Sequence, residues 1–364
     1  MPNAETTDAG PVPGDVMPAA VYIGDRDMAV QDVPVPTPGD GEVLIEVSHC
    51  GICGTDLHLV LEGYARPGSV LGHEWAGTIV QVGTGVEGWA AGAPVVADAT
   101  PGCGECRACR RGRPSVCLRR EPPDFLSFRG AFGRYVNVKA SRLLPLPDGL
   151  STRAAALTEP TAIAIHTVRL SGVEHGDRVL VTGAGPVGLL VIAVLRTQGI
   201  DDITVSEPSK VRREHALAVG AARAVEPDEL PPAAMGQPVE HPYDVVFECS
   251  GNAHAAEVAL DQLDYAGTLV FVGTGHEMPR VNHNRAIVLE LTIMGAYNYD
   301  AEGFGPALDL LASGALPLHL LIAPDDVPLD GVLDAMHRLA AGEIPGKVMV
   351  RPFSGTPADA DTMV

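Results

Sequence analysis

The chain has 364 residues, seven cysteines and a formal net charge of −21. This length exceeds what one apolar core usually organises, so we expect two domains. The acidic balance argues against nucleic acid or an anionic membrane surface as a partner. The first twenty residues lack the basic start and apolar run of a secretory signal, and no apolar stretch reaches membrane-spanning length. We therefore expect a cytoplasmic protein.

Two regions of different pattern follow one another along the chain. Before about residue 150, short apolar runs such as "GEVLIEVSHC" are broken by Gly and Pro, which predicts a compact antiparallel β domain. After it, strand-like and helix-like runs alternate, which predicts βαβ units in a doubly wound parallel sheet. Residues 1–17 and 354–364 are small and polar enough to be disordered tails.

The four-cysteine segment, residues 101–118, has the spacing C-x2-C-x2-C-x7-C. In a reducing compartment, closely spaced cysteines more often bind metal than form disulfides. Four thiolates can close tetrahedrally on one Zn²⁺ and leave no open position, as in a structural site. We therefore predict structural zinc, with a reduced surface thiol cluster as the alternative, at Cys103, Cys106, Cys109 and Cys117.

A second set of metal-binding side chains lies in "HCGICGTDLH" and "GHEWAG". Cys53, His73 and Glu74 offer a thiolate, an imidazole and a carboxylate, which suits zinc with a fourth position open. Cys50 and Cys53 also form a C-x-x-C pair, but no thioredoxin-like βαβ context surrounds it. We interpret Cys50 as a buried structural thiol.

The parallel-sheet region carries a dinucleotide-binding pattern. A strand, "VLVT", is followed by a G-x-G-x-x-G turn and then by an apolar helix. The predicted cofactor-binding residues of this turn are Gly183, Gly185, Pro186, Val187 and Gly188. The turn allows close backbone approach, and the helix N-terminus favours a pyrophosphate. Glu207 ends the next strand and can accept bonds from both ribose hydroxyls, which favours NAD over NADP. Lys210, Arg212 and Arg213 follow; they either soften that preference or form a solvated helix turn.

These motifs, in this order, resemble the zinc-dependent medium-chain alcohol dehydrogenases, and the resemblance covers about residues 18–353. It implies an α/β fold with a GroES-like antiparallel β catalytic domain, residues 18–158 and 299–353, that includes the zinc lobe near 101–118. Residues 159–298 would form an NAD-binding Rossmann domain. The Glu-Pro of "TEPTAIAIH" is similar to polyol (sorbitol-type), threonine and butanediol dehydrogenases.

The resemblance also implies roles for individual residues around the reactive zinc. Cys53, His73 and Glu74 match its ligands, and Glu159 matches a carboxylate that binds the metal or holds its water. Thr55 matches the hydroxyl that bonds the substrate oxygen. Asp56 matches the partner of the zinc histidine. His58 matches the distal member of a proton relay.

Further assignments concern the cofactor and the substrate pocket. Arg212 and Gly273 are further candidates for cofactor contacts, and the resemblance implies that Lys347 reaches the cofactor phosphates. The pocket residues are expected among Tyr297, Asn298 and Tyr299. Many relatives have arginine where this chain has Asn298, and an amide cannot clamp an anion as a guanidinium does.

The predicted activity is reversible oxidation of a secondary alcohol of a polyol, diol or cyclitol to a ketone, with hydride transfer to NAD⁺. Two zinc ions per chain and a homodimer or homotetramer are expected. One alternative is a reductase that works from ketone or enone in a biosynthetic pathway. Another is a nucleotide-binding redox sensor without turnover.

Overall fold

The computed structural model describes residue 11 and residues 14–98, 102–120, 129–234 and 236–353. Strands β1 (Val16–Gly24) and β2 (Asp27–Pro34) form an antiparallel hairpin. A larger antiparallel sheet contains β3 (Glu42–Gly51), β4 (Glu74–Val82), β5 (Pro94–Ala97), β6 (Tyr135–Lys139), β7 (Leu143–Pro145) and β14 (Met349–Val350). Its order is β14-β3-β4-β5-β7, and β6 pairs with β3.

Alternation along β3 explains how this sheet is buried. Val43, Ile45 and Val47 face one apolar cluster, whereas Leu44 packs in a second cluster with Met17. Successive side chains of a strand point to opposite faces, so both faces of β3 are covered. Because β1 begins at Val16, the prediction of a disordered tail is wrong for residues 16 and 17. Residues 1–10, 12–13 and 354–364 lie outside the described residues.

The second half is a six-stranded parallel sheet with the order β10-β9-β8-β11-β12-β13. Its strands are β8 (Val179–Thr182), β9 (Ile203–Ser206), β10 (Arg223–Val225), β11 (Tyr243–Glu248), β12 (Leu263–Phe271) and β13 (Thr292–Gly295). The order reverses between β8 and β11, the place where open α/β sheets bind nucleotides. The predicted α/β fold, antiparallel domain plus doubly wound sheet, is confirmed.

The helices follow the same division. The first region has α1 (Gly54–Leu61), α2 (Arg107–Arg110) and α3 (Thr152–Ala155). The parallel sheet is accompanied by α4 (Thr158–Ser171), α5 (Pro186–Thr197), α6 (Lys210–Val219), α7 (Ala253–Asp261) and α8 (His283–Val288). The chain ends with α9 (Phe304–Ala312), α10 (Leu318–Leu321) and α11 (Val332–Ala340). No helix in the described ranges is long and apolar enough to cross a membrane.

The C-terminal helices divide between the two cores. Phe304 and Leu308 of α9 belong to the apolar cluster of the parallel sheet, whereas Met336 of α11 packs with the antiparallel sheet. A boundary at residue 299 therefore assigns α9 to one domain although its apolar face packs in the core of the other. After α9 the chain packs with the antiparallel sheet again, first at Ala323 and Leu329 and then through α11 and β14.

Candidate active site and zinc centres

The predicted ligands of the reactive zinc lie at the N-terminal ends of two elements, α1 and β4. Cys53 immediately precedes α1, and Glu74 is the first residue of β4 with His73 just before it. One donor atom each from Cys53, His73 and Glu74 lies within 4.8 Å of the other two. A thiolate, an imidazole and a carboxylate at this separation suit a zinc ion with an open position. Cys50 is fully buried nearby, as predicted, and burial raises the pKa of its thiol.

Asp56 holds both the loop and the histidine of this cluster. Its carboxylate accepts bonds from the backbone N–H groups of Cys53, at 2.9 Å, and Gly72, at 3.3 Å. One of its oxygens lies 3.7 Å from Nδ1 of His73. Burial raises the pKa of Asp56, and the neighbouring His73 opposes that rise. A carboxylate beside the second nitrogen of a ligating histidine fixes the orientation of the ring.

Lys347 lies behind the cluster. Its ammonium is 2.6 Å and 2.7 Å from the two oxygens of Glu74 and donates to the carbonyl of Ile52 at 3.2 Å. Burial disfavours the charged amine, but the charges of Glu74 and Cys53 outweigh it and raise the pKa of Lys347. These three contacts engage the ammonium inside the protein, and its reach to the cofactor phosphates stays a prediction. The ion pair between Lys347 and Glu74, which are 273 positions apart, was not predicted from the sequence.

Glu159 lies in the first turn of α4. It is not among the three residues whose donor atoms lie within 4.8 Å of one another. Burial raises the pKa of Glu159 to about 7, opposed by the charge of His73. Glu159 therefore faces the same buried charges as the cluster but stands farther from its centre.

The four-cysteine segment forms a compact lobe around its thiols. All four sulfur atoms lie within 4.8 Å of one another, and none of these cysteines is in a disulfide. Backbone N–H groups point at the sulfurs, as from Cys106 to Cys103 at 3.3 Å. The backbone N–H of Cys109 donates to Cys106 and lowers the pKa of that thiol to about 6. Burial raises the pKa of Cys109 to about 11, so it is the grouping of four thiols within 4.8 Å, and not a shared pKa shift, that fits zinc.

A buried carboxylate connects this lobe to α4. Asp300 accepts from the backbone N–H of Ser115 at 3.0 Å and pairs with Arg113 at 3.0 Å. On its other side it pairs with Arg169 of α4 at 3.2 Å. Burial would raise the pKa of Asp300, but the bonds from Ser115 and the charges of His166 and Arg113 lower it. The sequence offered no local signal for this contact.

The predicted nucleotide turn has the shape that a pyrophosphate needs. Gly185 precedes α5, and Pro186 and Val187 are half-buried in its first turn. A side chain at Gly188 would lie 2.1 Å from the carbonyl oxygen of Gly183, so only glycine permits this packing. Gly273 follows β12. A Cβ atom at this position would lie 2.3 Å from the backbone nitrogen of Gly251, so glycine is required here too. Gly185, just before α5, has open space where a side chain would begin, so the N-terminus of α5 is accessible to a ligand.

Glu207 and Arg212 differ in what they offer to a cofactor. The Glu207 carboxylate accepts from the backbone N–H groups of Ala184 and Ser209, both at 2.8 Å, so it lies against the glycine turn. Arg212 instead donates to the carbonyls of Leu339, at 2.7 Å, and Ile344. Nε and Nη2 of Arg212 are thus engaged by the C-terminal segment, and its contact with the cofactor stays a prediction.

The predicted relay residues both lie on α1. Thr55 is half-buried in the first turn, two positions after Cys53. His58 is one turn further on, where Nε2 donates to the carbonyl of Thr274 at 2.9 Å. Its Nδ1 lies 2.5 Å from the Glu62 carboxylate. Glu62 was missed, although the i,i+4 spacing to His58 on a predicted helix is a signal for such a pair.

The segment expected to line the substrate pocket departs from a strand. Because β13 ends at Gly295 and Asn298 has a φ of +52°, the segment does not alternate. Tyr297 is 61% exposed, and Tyr299 is buried with its hydroxyl donating to Asp98 at 2.9 Å. The aromatic side chains of Tyr297 and Tyr299 therefore do not form one continuous surface. Nδ2 of Asn298 is buried without a hydrogen-bond partner among the described residues.

Comparisons with known proteins agree with this architecture. Residues 39–148 match the alcohol dehydrogenase GroES-like domain, and residues 186–313 match the zinc-binding dehydrogenase domain. The chain is 35% identical to 2-dehydro-3-deoxy-L-galactonate 5-dehydrogenase from Pseudoalteromonas atlantica, over 84% of this chain and 90% of the relative. It is 36% identical to L-threonine 3-dehydrogenase from Pyrococcus horikoshii, over 87% of this chain and 93% of the relative.

Solved structures show the same relationship. The crystal structure of 2R,3R-butanediol dehydrogenase from Bacillus subtilis superposes with a TM-score of 0.80 at 29% identity, covering 93% of this chain and all of that chain. Two other similar chains have been solved with NADP and with NADH bound. The chain belongs to the zinc-dependent medium-chain alcohol dehydrogenases, enzymes that use zinc and a nicotinamide cofactor.

Proposed function

We propose that this enzyme reversibly oxidises a secondary alcohol of a small hydroxylated molecule to a ketone, with NAD⁺ as hydride acceptor. The observation that supports it most is the placement of α1. Cys53 at the start of this helix joins the zinc cluster, and His58 near its end contacts Thr274, next to Gly273 in the nucleotide-binding half. A single helix thus connects the metal-binding cluster with the cofactor side of the cleft.

The roles proposed for the residues follow from this arrangement. When bound, zinc would supply Lewis acidity that favours ionisation of the alcohol, and the nicotinamide cofactor would supply the hydride acceptor. Cys53, His73 and Glu74 would hold the zinc, with the half-buried carboxylate of Glu159 farther from its centre. Asp56 keeps the His73 ring in place through the contact at 3.7 Å. The Thr55 hydroxyl would bond the substrate oxygen, and His58 would pass its proton towards water.

NAD is proposed over NADP because of Glu207. Its carboxylate lies at the carboxyl end of β9 and against the glycine turn, where the adenosine ribose of a dinucleotide would be bound. A 2′-phosphate there would meet a negative charge. The two candidate arginines already have partners, since Arg212 donates to the carbonyl of Leu339 and Arg213 to the backbone carbonyl of Glu207.

The proposed substrate is a neutral diol, polyol or cyclitol. The named relatives include enzymes of a sugar acid and an amino acid, and also an enzyme of a neutral diol. Asn298 offers an uncharged, buried donor, Nδ2, that has no partner among the described residues. An amide donor suits a hydroxyl, whereas a carboxylate is better matched by a guanidinium. This contrast favours the neutral class.

We also propose a homodimer or homotetramer and a cytoplasmic location. β13 ends the order of the parallel sheet in the part of the chain that the structure describes, so one edge of this strand is open for pairing. The exposed Ile287 and Val288 add apolar surface to the preceding helix. The four thiols of the zinc lobe require a reducing compartment. The domain limits 18–158 with 299–353 and 159–298 are part of the same proposal.

A substrate screen would test the activity. The zinc-loaded protein would be assayed by NADH absorbance with diols, polyols, cyclitols, hydroxy acids and simple alcohols, and in reverse with the matching ketones. We expect oxidation of at least one neutral hydroxylated compound and a higher kcat/KM with NAD⁺ than with NADP⁺. Tight nucleotide binding without turnover on any compound would instead indicate a redox sensor. Light scattering during size-exclusion chromatography gives the oligomeric state.

A further inference from the structure

A third group of metal-binding side chains lies apart from the Cys53 cluster and the four-cysteine lobe. His58 is on α1 and Glu62, one turn further, directly follows this helix; His276 lies in the loop that follows β12. Their donor atoms, one from each residue, all lie within 4.8 Å of one another. The Glu62 carboxylate is between the two rings: one oxygen faces His58 Nδ1 at 2.5 Å and the other contacts His276 Nε2.

The hydrogen bonding of His58 leaves an acceptor facing this carboxylate. Nε2 is 2.9 Å from the Thr274 carbonyl, which can only accept, so Nε2 carries the proton. In a neutral imidazole Nδ1 is then an acceptor, yet it faces an acceptor oxygen of Glu62. Two acceptors in such contact need a cation between them, a proton or a metal ion. Metal-binding histidines typically donate their other N–H to a carbonyl or carboxylate in this way.

The third ligand is also held in place. The ring of His276 stacks on Tyr64 with centroids 4.6 Å apart, and it meets the ring of His58 edge-on at 5.3 Å. The exposed fractions of the His58, Glu62 and His276 side chains are 32%, 36% and 47%, so an ion can enter from solvent. Two imidazoles and one carboxylate form a ligand set typical of zinc with an open position.

We propose that His58, Glu62 and His276 form a third divalent-metal site, suited to Zn²⁺, that joins α1 to the loop after β12. The bound ion ties the helix that begins at Cys53 to the loop that begins at Gly273. It also occupies Nδ1 of His58. One consequence rests on the proposed function: if His58 passes the substrate proton, zinc at this site inhibits the enzyme reversibly.

Metal binding can be measured without substrate or nucleotide. The full chain, already loaded with its resident zinc, would be titrated with Zn²⁺ alone by calorimetry and by equilibrium dialysis with elemental analysis. We expect one additional equivalent per chain. His276→Ala and Glu62→Gln should each weaken it by roughly tenfold or more, since even outer partners of metal ligands change affinity by about 10- to 100-fold. His283→Ala, which removes an exposed histidine of the same half, should leave it unchanged.

The outcomes separate the site from the activity. The proposal is overturned if the parent chain binds no additional equivalent, or if His276→Ala and His283→Ala bind it equally well while both retain the parent melting temperature. In that case a proton bridges the cluster. Additional binding that His276→Ala removes supports the site even where no alcohol is oxidised. Loss of zinc inhibition in His276→Ala, with basal kcat retained, supports the regulatory consequence.

Discussion

The ammonium of Lys347 lies 2.6 Å from one oxygen of Glu74 and 2.7 Å from the other, although the two residues are 273 positions apart. Both side chains are almost completely buried. A buried ammonium without its partner carries a large desolvation cost, and so does a buried carboxylate. Each charge therefore depends on the other, and the C-terminal strand region takes part in building the zinc cluster.

Replacing Lys347 should affect the fold and the metal together. In Lys347→Met the Glu74 carboxylate stays buried without its cation, which should cost about 3–5 kcal/mol in the free energy of unfolding. Lys347→Arg keeps the charge and should lose less. Urea unfolding of both variants, with zinc content measured by elemental analysis, checks this. Equal stability of the Met and Arg variants would show that the ion pair does not support the site.

The four-cysteine lobe should behave differently from the Cys53 cluster. Elemental analysis should find two zinc ions per active chain when no excess metal is present. Cys109→Ser should lower folding yield and melting temperature, because a closed zinc site contributes to the free energy of folding. Cys53→Ser should abolish turnover with a smaller loss of stability. Finding one zinc or none in fully active protein would contradict this division.

Asp300 provides a pH-dependent test of how the lobe is attached. Asp300→Asn should lower the free energy of unfolding by about 1.5–3 kcal/mol, the contribution of hydrogen bonds to charged groups. In the folded parent protein the pKa of the Asp300 carboxyl is, despite burial, lowered by its bonds with Ser115 and by the charges of His166 and Arg113. The stabilisation is therefore complete above the unfolded pKa, about 3.9, and is lost only as pH falls through the folded value. The difference between parent and variant should stay constant from pH 8 to pH 5; a decline within that range would show that the carboxyl is not stabilised as an anion.

Local patterns were sufficient to predict much of the molecule. The glycine turn, the ligands before α1 and β4, and the four-cysteine spacing each depend on a few neighbouring residues whose chemistry is visible in the sequence. The alternation of β-type and helix-type runs predicted the two sheets for the same reason. Contacts between distant segments were not visible. Lys347 with Glu74, and Ser115 with Asp300 at 185 positions' separation, follow only from the folded chain.

The segment after β13 shows a second kind of limit. In a regular strand Tyr297 and Tyr299 would point to one face and Asn298 to the other. The positive φ of Asn298 interrupts that periodicity, so the side chains take unrelated directions. Arg212 shows a third reason why sequence patterns are insufficient. It lies close to the predicted cofactor site in the sequence, but in the fold its guanidinium donates hydrogen bonds to backbone carbonyls.

Glu207 should control the use of the two nicotinamide cofactors. Glu207→Ser would remove the proposed charged hydrogen bonds to the ribose and should lower kcat/KM for NAD⁺ by about 10- to 100-fold, equivalent to about 1.5–3 kcal/mol. The kcat/KM for NADP⁺ should rise relative to NAD⁺, because the repulsion of a 2′-phosphate is gone. The ratio of the two values in parent and variant is the measurement. A parent enzyme that already prefers NADP⁺ would show that Glu207 does not select the cofactor.

The relay proposed for Thr55 and His58 predicts different losses. Thr55→Ala removes the hydroxyl that would bond the substrate oxygen and should nearly abolish oxidation, whereas Thr55→Ser should retain most of it. His58→Ala should lower kcat by roughly 10- to 1000-fold at neutral pH, the usual range for a positioned proton-transfer group, with partial recovery at high pH. Rates measured across pH for all three variants check this. A His58 variant with the parent's pH–rate profile is not consistent with the relay.

Asn298 should help to decide between neutral and anionic substrates. Because its Nδ2 has no partner among the described residues, Asn298→Ala should lower kcat/KM for the best diol or polyol while leaving nucleotide affinity unchanged. Asn298→Arg introduces a guanidinium and should shift the ratio of kcat/KM towards hydroxy acids, since that group pairs with carboxylates. Asn298→Gly, which also tolerates the positive φ, controls for backbone strain. Simple aliphatic alcohols should be poor substrates of the parent, by about 10⁴-fold where several hydroxyls are bound, because polar groups of the pocket would be left unpaired. If ethanol or 2-propanol matched every diol and polyol in kcat/KM, the pocket would not be one that recognises hydroxyl groups.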